Sequence, residues 1–440
     1  MPTKSRGFLH DRQSPSCNLQ RAPDVLQRFF TSPSWLKHRP RAPLSVVSYA
    51  CRLLPIITVV LTAVVRGLAE EPVPPVVPDP APAPAHLELA KKLLDPGLAN
   101  GFDFPAGGPE GTAPYISQTT RRKYSSWKVT FQPGETEADS GQRHTGEAWN
   151  GSGGGATDAG QPVFAVAAGT VRDVKETTRG PAVTIEHRFV ENGGLRNVWS
   201  ISAGLADVKL KAGDPVKRRQ RIGTIAHQGA GATVQLYLEI RKQWPPLEEA
   251  DSVAGCEAPS EFIRTHRKLT VPAKEKSIII ASKKDHRLLY CRDGKVVEDL
   301  PMALSQKPLG AKIEDGDNRT PEGEYRIIQK AEGPFDGEFG KFLGTRWMRI
   351  NYPNTYDARA ALEAGRIGKK ECEAIIAANA AGKMPPTDSK LGGGVGIHGW
   401  ASDWPDGPQN LTWGCLSLRE ADLKKLYSLA VKGTVVIISP

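Results

Sequence analysis

Short apolar runs recur through most of the chain, broken by glycine-rich polar turns. Residues 163–166, 170–174, 182–187, 197–202 and 234–240 are runs of this kind. Their length and β-branched content predict strands, so residues 101–240 are expected to be all-β. A second set lies at 277–281, 287–291, 324–329, 347–352, 395–398 and 434–439. Between these, residues 357–381 switch to helical periodicity, with Ala360, Ala361, Ile375, Ile376 and Ala380 apolar and Gly382 placed as a stop. The pattern predicts a mainly β protein of two β-rich domains, the second carrying a helical insertion.

Two segments fall outside this pattern. Residues 53–65 (LLPIITVVLTAVV) form an apolar run of 13 residues between Arg52 and Arg66. That is short for a spanning helix, which needs about 20 residues. With basic residues before it and Gly67-Leu68-Ala69 after it, the run suits a secretory signal peptide or an uncleaved membrane anchor. Residues 71–85 (EPVPPVVPDPAPAPA) predict an extended, semi-rigid linker. The expected organisation is a leader at 1–69, a Pro/Ala-rich linker at 70–94, a first domain at 95–250, a connector at 251–274 and a second domain at 275–440. The expected location is the periplasm or cell envelope, with membrane contact only through the N-terminal segment.

Charge narrows the function. The 440 residues hold 58 Lys+Arg and 48 Asp+Glu, a formal net charge of +10. Residues 1–69 hold ten of the basic residues and two of the acids, hence most of the excess. The folded part is near neutral and lacks the basic footprint of nucleic-acid binding. The six cysteines are sparse and contain no CxxC pair, which argues against a disulfide scaffold or a structural zinc site. Cys256 and Cys291 flank the start of the second domain, either paired or free.

The candidate chemistry lies in residues 396–419 (GIHGWASDWPDGPQNLTWGCLSLR). His398 ends one short apolar strand; Cys415 begins another 17 residues later, after Gly414. Neighbouring strands would set an imidazole beside a thiol. An imidazole can take the thiol proton and generate the thiolate nucleophile. The N–H groups of Gly414 and Cys415 are candidate donors to an oxyanion.

This segment resembles the YkuD-type L,D-transpeptidases, in which an HG precedes an S/T-x-G-C motif at a similar distance. Here that motif is Thr412-Trp413-Gly414-Cys415. The resemblance extends over about 277–440 and includes Arg319-Thr320-Pro321-Glu322-Gly323, similar to the family's RTPxG turn, and the YPN of 352–354. It implies a YkuD-like β-sandwich with Cys415 as nucleophile, His398 as general base, and the Gly399 carbonyl orienting the imidazole. Gly414, Thr412, Trp413 and Arg319 fall on the oxyanion or substrate side. Trp413 stands where the family commonly has His, and Ser417 where it commonly has Arg. Trp400, Trp404 and Trp413 either line a groove or pack a loop, and the insertion is either a lid or a surface feature. No cofactor is implied.

The first domain resembles the LytM or lysostaphin-like zinc endopeptidases through residues 102–106 and 143–160 and a series of Gly-x-Val strand starts. Its ligand positions depart from that family. His144 stands at the first ligand, but Ala148 replaces the Asp, Gln235 and Tyr237 occupy the H-x-H positions, and Gly204 replaces another active-site His. One ligand of three does not make a zinc site, so no metal is expected. The expected partners are peptidoglycan stem peptides, with a cell-wall or amidase partner through the first domain and no nucleic acid. The expected function is an exported peptidoglycan L,D-transpeptidase. The alternatives are a Cys-dependent hydrolase (an L,D-carboxypeptidase or amidase) and a non-catalytic wall-binding regulator.

Overall fold

The structure is a computed structural model of the chain. It describes residues 83–136, 141, 143–227, 235–244, 253–400, 402 and 404–440. The leader and residues 70–82 of the linker lie outside the described residues. Asp79–Pro440 forms one compact unit.

The first domain is built on an eight-stranded sheet. Its central hairpin is Gly180–Glu191 and Gly194–Ala203, paired antiparallel over their length. Leu236–Arg241 joins one side of it, followed by Glu147–Gly151 and Trp127–Phe131. A smaller sheet of Pro162–Phe164, Arg221–Ile225 and Leu205–Ala206 packs with it around a core that includes Phe102, Phe189, Ile185 and Leu238.

The second domain is one continuous ten-stranded sheet, curled around its core. Three neighbouring strands, Arg287–Arg292, Ser277–Ser282 and Val435–Ser439, read as unbroken apolar runs because both faces are covered. Ile279, Ala281, Val436 and Ile438 face the domain's own core. Ile278, Ile280, Val435 and Ile437 belong instead to a second apolar cluster shared with Val190 and Leu195 of the first domain's hairpin.

That cluster corrects the linker boundary. Residues Ala85–Leu93, expected within the linker, form helix α1, with Ala90 and Leu93 buried in the shared cluster. His86 of α1 also bonds Asp299, Nε2 to Oδ2, at 2.9 Å. The connector is likewise more ordered than its polar composition suggested. Pro259–Thr265 forms helix α2, which places Phe262 and Ile263 in the first domain's core. Cys256–Glu257 adds a short strand to Leu236–Arg241. Cys256 and Cys291 are not joined to each other, and Cys291, Cys372 and Cys415 are free thiols.

The insertion consists of helices α3 (Thr355–Glu363) and α4 (Lys369–Ala380), with their own small core of Ala358, Ala361, Ile367, Cys372, Ile375 and Leu391. Asn354 and Asp357 form a reciprocal capping box at the start of α3. Helix α5 (Glu420–Leu429) leads into the final strand. No helix among the described residues is long and apolar enough to cross a membrane.

Candidate active site

His398 ends the strand Gly396–His398, and Cys415 immediately precedes the strand Leu416–Ser417. These strands pair in parallel, with His398 opposite Ser417. Cys415 lies two residues before Ser417, so the two-residue period of a strand puts its side chain on the His398 face. Both residues line one cleft of about 550 Å³. Gly414 has φ of +148°, a conformation open to glycine alone, and a Cβ there would come within 3.1 Å of the Arg319 carbonyl oxygen. Thr412 closes the same turn, its Oγ1 donating to the Cys415 carbonyl at 2.6 Å.

The imidazole is fixed by backbone. Nδ1 lies 2.5 Å from the Gly399 carbonyl oxygen. A carbonyl only accepts, so Nδ1 carries the proton and Nε2 of the neutral ring is left as the base. Ser417, the position where the sequence departs from the family's Arg, donates Oγ to the same carbonyl at 2.7 Å. Gly399 is itself confined. Its N–H donates to the Leu343 carbonyl at 3.0 Å, and a Cβ on it would meet Glu420 Oε1 at 2.1 Å. Glu420 in turn accepts from Thr345 N–H at 3.0 Å and from Thr345 Oγ1 at 2.6 Å.

Burial dominates the electrostatics of both groups. It pushes the His398 imidazole down to about 4, against opposing hydrogen bonds to the backbone of Gly399 and Phe342. It pushes the Cys415 thiol up to about 11, against a hydrogen bond from the Gly396 backbone and the positive charges of Lys312 and Arg349. At rest both groups are neutral: a thiol whose Sγ lies 3.8 Å from the Gly394 carbonyl oxygen, and an imidazole lining the same cleft.

Five contributors escaped sequence reading. Lys312 sits in the cleft wall with Nζ 2.8 Å from Asp317 Oδ1. Arg349 pairs across the sheet with Gly396 and is close enough to Cys415 for their charges to interact. Phe339 and Phe342 pack edge-on to Trp413, with centroids 5.5 and 5.2 Å apart, while Trp347 lies 5.8 Å from the His398 ring. Each comes from a segment far away in sequence, with no local motif to mark it.

The remaining expected residues divide. Trp413 lines the cleft and is 41% exposed. Trp400 lies 6.4 Å from the His398 ring, whereas Trp404 is buried beneath Arg419. Arg319 is not among the cleft-lining residues. Its guanidinium sits near Gly310, and its turn is instead fastened by Lys283, whose Nζ donates to Gly310 O and Glu322 Oε1 at 2.7 Å and to Thr320 O at 3.2 Å. Helices α3 and α4 contribute none of the described lining residues of the cleft.

The first domain's ligand positions have been filled by packing. Ala148 and Tyr237 join Ala182 and Ala203 in a small apolar cluster. The Tyr237 hydroxyl accepts from the N–H groups of Thr145 and Gly146 at 3.1 and 2.8 Å. His144 is buried and stacks on Phe131, centroids 4.4 Å apart. Alanine offers no donor atom and the tyrosine hydroxyl is committed to backbone, so this set does not fit zinc.

Residues 276–438 match the family model of YkuD, the L,D-transpeptidase catalytic domain. Residues 149–249 match that of peptidase family M23. The chain therefore carries an L,D-transpeptidase catalytic domain preceded by an M23-type domain. No curated protein matches it. Among solved structures it is similar to lysostaphin of Staphylococcus simulans, at 17% identity and a TM-score of 0.25, over 32% of this chain and 51% of that one. It is also similar to the helical cell shape determining protein Pgp2 of Campylobacter jejuni, at 22% identity and a TM-score of 0.25, over 37% of this chain and 47% of that one. A zinc containing peptidase of Vibrio cholerae matches at 21% identity and a TM-score of 0.23, over 32% and 37%. The chain thus spans about half the length of lysostaphin and of Pgp2, and less of the third.

Proposed function

We propose that the protein is an exported L,D-transpeptidase of peptidoglycan, with Cys415 as nucleophile and His398 as base. The observation that carries this reading is the pairing of the two strand ends that open Cys415 and His398 into one cleft, with the Gly399 carbonyl holding the proton on Nδ1 so that Nε2 is the basic nitrogen. Export rests on the apolar run at 53–65 and its basic flank.

Because the thiol rests protonated, proton transfer to His398 accompanies attack rather than preceding it. Cys415 Sγ bonds to the carbonyl carbon of the stem peptide, and His398 takes the thiol proton. The Cys415 N–H, with that of Gly414 released from its 3.4 Å contact with Thr412 Oγ1, receives the oxyanion. The C–N bond then breaks and the terminal D-Ala leaves as an amine, carrying the proton from His398. An acceptor amine attacks the thioester and loses a proton to His398; the C–S bond breaks and His398 returns that proton to Sγ, restoring the thiol.

The test is incubation of the purified chain with disaccharide-tetrapeptide muropeptides, with products read by mass spectrometry. A dimer lacking one D-Ala is expected, and Cys415→Ala is expected to abolish it without unfolding the domain. Free tripeptide without dimer would replace the transferase reading with a hydrolase. D-Ala release by Cys415→Ala at the wild-type rate would overturn the nucleophile assignment.

A further inference from the structure

The M23-type domain has a second cleft, of about 390 Å³, on the face where its ligand positions lie. That size falls within the range of small-ligand sites. Ala182, Ile201 and Ala203 give it an apolar patch, flanked by Thr177, Thr178 and Thr184. Three cations, Arg143, Lys175 and Arg179, line the cleft, and a fourth, Arg241, is largely buried and tied to Glu239. Glu239 is the one acidic side chain among the described lining residues, and both its oxygens are engaged. Oε1 accepts from Thr145 Oγ1 at 2.6 Å and Oε2 from Arg241 Nε at 2.5 Å.

The cations stand on different elements. Lys175 lies on the strand Gly169–Thr177, with Nζ 5.7 Å from the centre of the Trp244 ring. Arg143 lies in the segment before the Glu147–Gly151 strand, its Nε donating to the Gly134 carbonyl at 3.2 Å. The Arg179 guanidinium lies over the Tyr237 ring at 4.8 Å. A site for a single compact anion gathers its donors on one point. Here positive charge is spread around an apolar patch, with an aromatic wall at Trp244. A cleft lined by one sign of charge draws oppositely charged ligands into it.

We propose that this cleft is a receptor for a short acidic peptide, held through its carboxylates by the Arg143 and Lys175 rim while its stem lies over the Ala182–Ile201–Ala203 patch. The packing that removed the zinc ligands left a cavity whose charge suits a bound carboxylate rather than a cut amide. This assignment is independent of the chemistry at Cys415.

The experiment is calorimetric titration of the full chain carrying Cys415→Ala, which silences the chemistry of the other cleft. The probes are acetyl-Glu-Ala-Glu-Ala-amide, its counterpart with both glutamates replaced by glutamine, and inorganic phosphate. The acidic peptide is expected to bind at least tenfold more tightly than the glutamine peptide or phosphate, and to weaken as salt screens the rim. Arg143→Gln/Lys175→Gln, at two exposed positions, is expected to weaken it at least tenfold with the melting temperature unchanged. Equal affinity for the two peptides, undiminished binding by the double variant, or phosphate binding as tight as the peptide would each overturn the proposal.

Discussion

The reactivity of Cys415 follows from how its proton is held. With the thiol at about 11 and the His398 imidazole at about 4, no stable thiolate–imidazolium pair forms at rest. Neutral pH lies far below the thiol's midpoint, so only a very small fraction of molecules carries the thiolate. Only the thiolate reacts with an alkylating agent. Alkylation by iodoacetamide should therefore be slow at neutral pH and rise about tenfold per pH unit from 6 to 9 without levelling. A free thiol with its midpoint near 8.5 would already bend within that window. The assay is mass spectrometry of the Cys415 peptide over a pH series, which separates it from the other five cysteines. His398→Ala should leave the unit slope in place, because the imidazole does not hold the proton at rest, yet abolish acylation by muropeptide. A plateau below pH 8 in the unmodified protein would refute the reasoning. It would mean that a preformed ion pair, not concerted proton transfer, supplies the nucleophile.

Other consequences are equally direct. Gly399→Ala puts a methyl 2.1 Å from Glu420 Oε1 and 3.1 Å from Gly344 Cα; we expect about 1–3 kcal/mol of destabilisation and at least a tenfold loss of muropeptide turnover, and unchanged turnover would contradict the confinement described for Gly399. Lys283→Ala strands the Glu322 carboxylate and unfastens the turn at 319–323, and urea denaturation should show a loss of about 3 kcal/mol; a loss below about 1 kcal/mol would show that solvent reaches the pair. His187 is fully buried between Ser200 Oγ and the Ala168 carbonyl, and burial lowers its midpoint from 6.5 to about 4. The unfolded chain binds that proton more readily, so stability is complete above pH 6.5 and falls by about 3 kcal/mol as pH drops to 4. Asp158 and Asp357, raised by burial to about 6 and about 7, act with the opposite sign. The His187 share is therefore read as the difference between wild type and His187→Gln in urea melts at pH 7 and 4.5, and parallel curves would disprove it.

Much of this was legible in the sequence where the information is local. The strand runs at 182–187 and 197–202 lie inside the hairpin strands Gly180–Glu191 and Gly194–Ala203. His398 and Cys415 could be singled out because each stands beside a glycine at a strand end. Arg349, Lys312 and Glu420 reach the site only through sheet pairing and loop packing, which no spacing along the chain records. Helix α1 was hidden because it directly follows a Pro/Ala stretch, and its burial depends on apolar residues almost 200 positions downstream in the second domain. Helix α2 was hidden by polar neighbours around Phe262 and Ile263. Arg319 belongs to a recognisable turn, but a motif does not say which way its side chain leaves the backbone.

The apolar cluster shared by α1, the first domain's hairpin and the second domain's sheet has a consequence for how such a protein can change over time. Ile278, Ile280, Leu289, Cys291, Val435 and Ile437 are covered there, each at most 1% exposed. Uncovering six such side chains would forfeit on the order of 10 kcal/mol, as much as the net stability of a typical domain. Ala148 and Tyr237, at the ligand positions of the M23-type domain, belong to a different cluster and can vary without uncovering this one. Val190 and Leu195 lack that freedom. The M23-type domain here serves as a wall of its neighbour, and excising it would remove part of the surface on which the second domain folds.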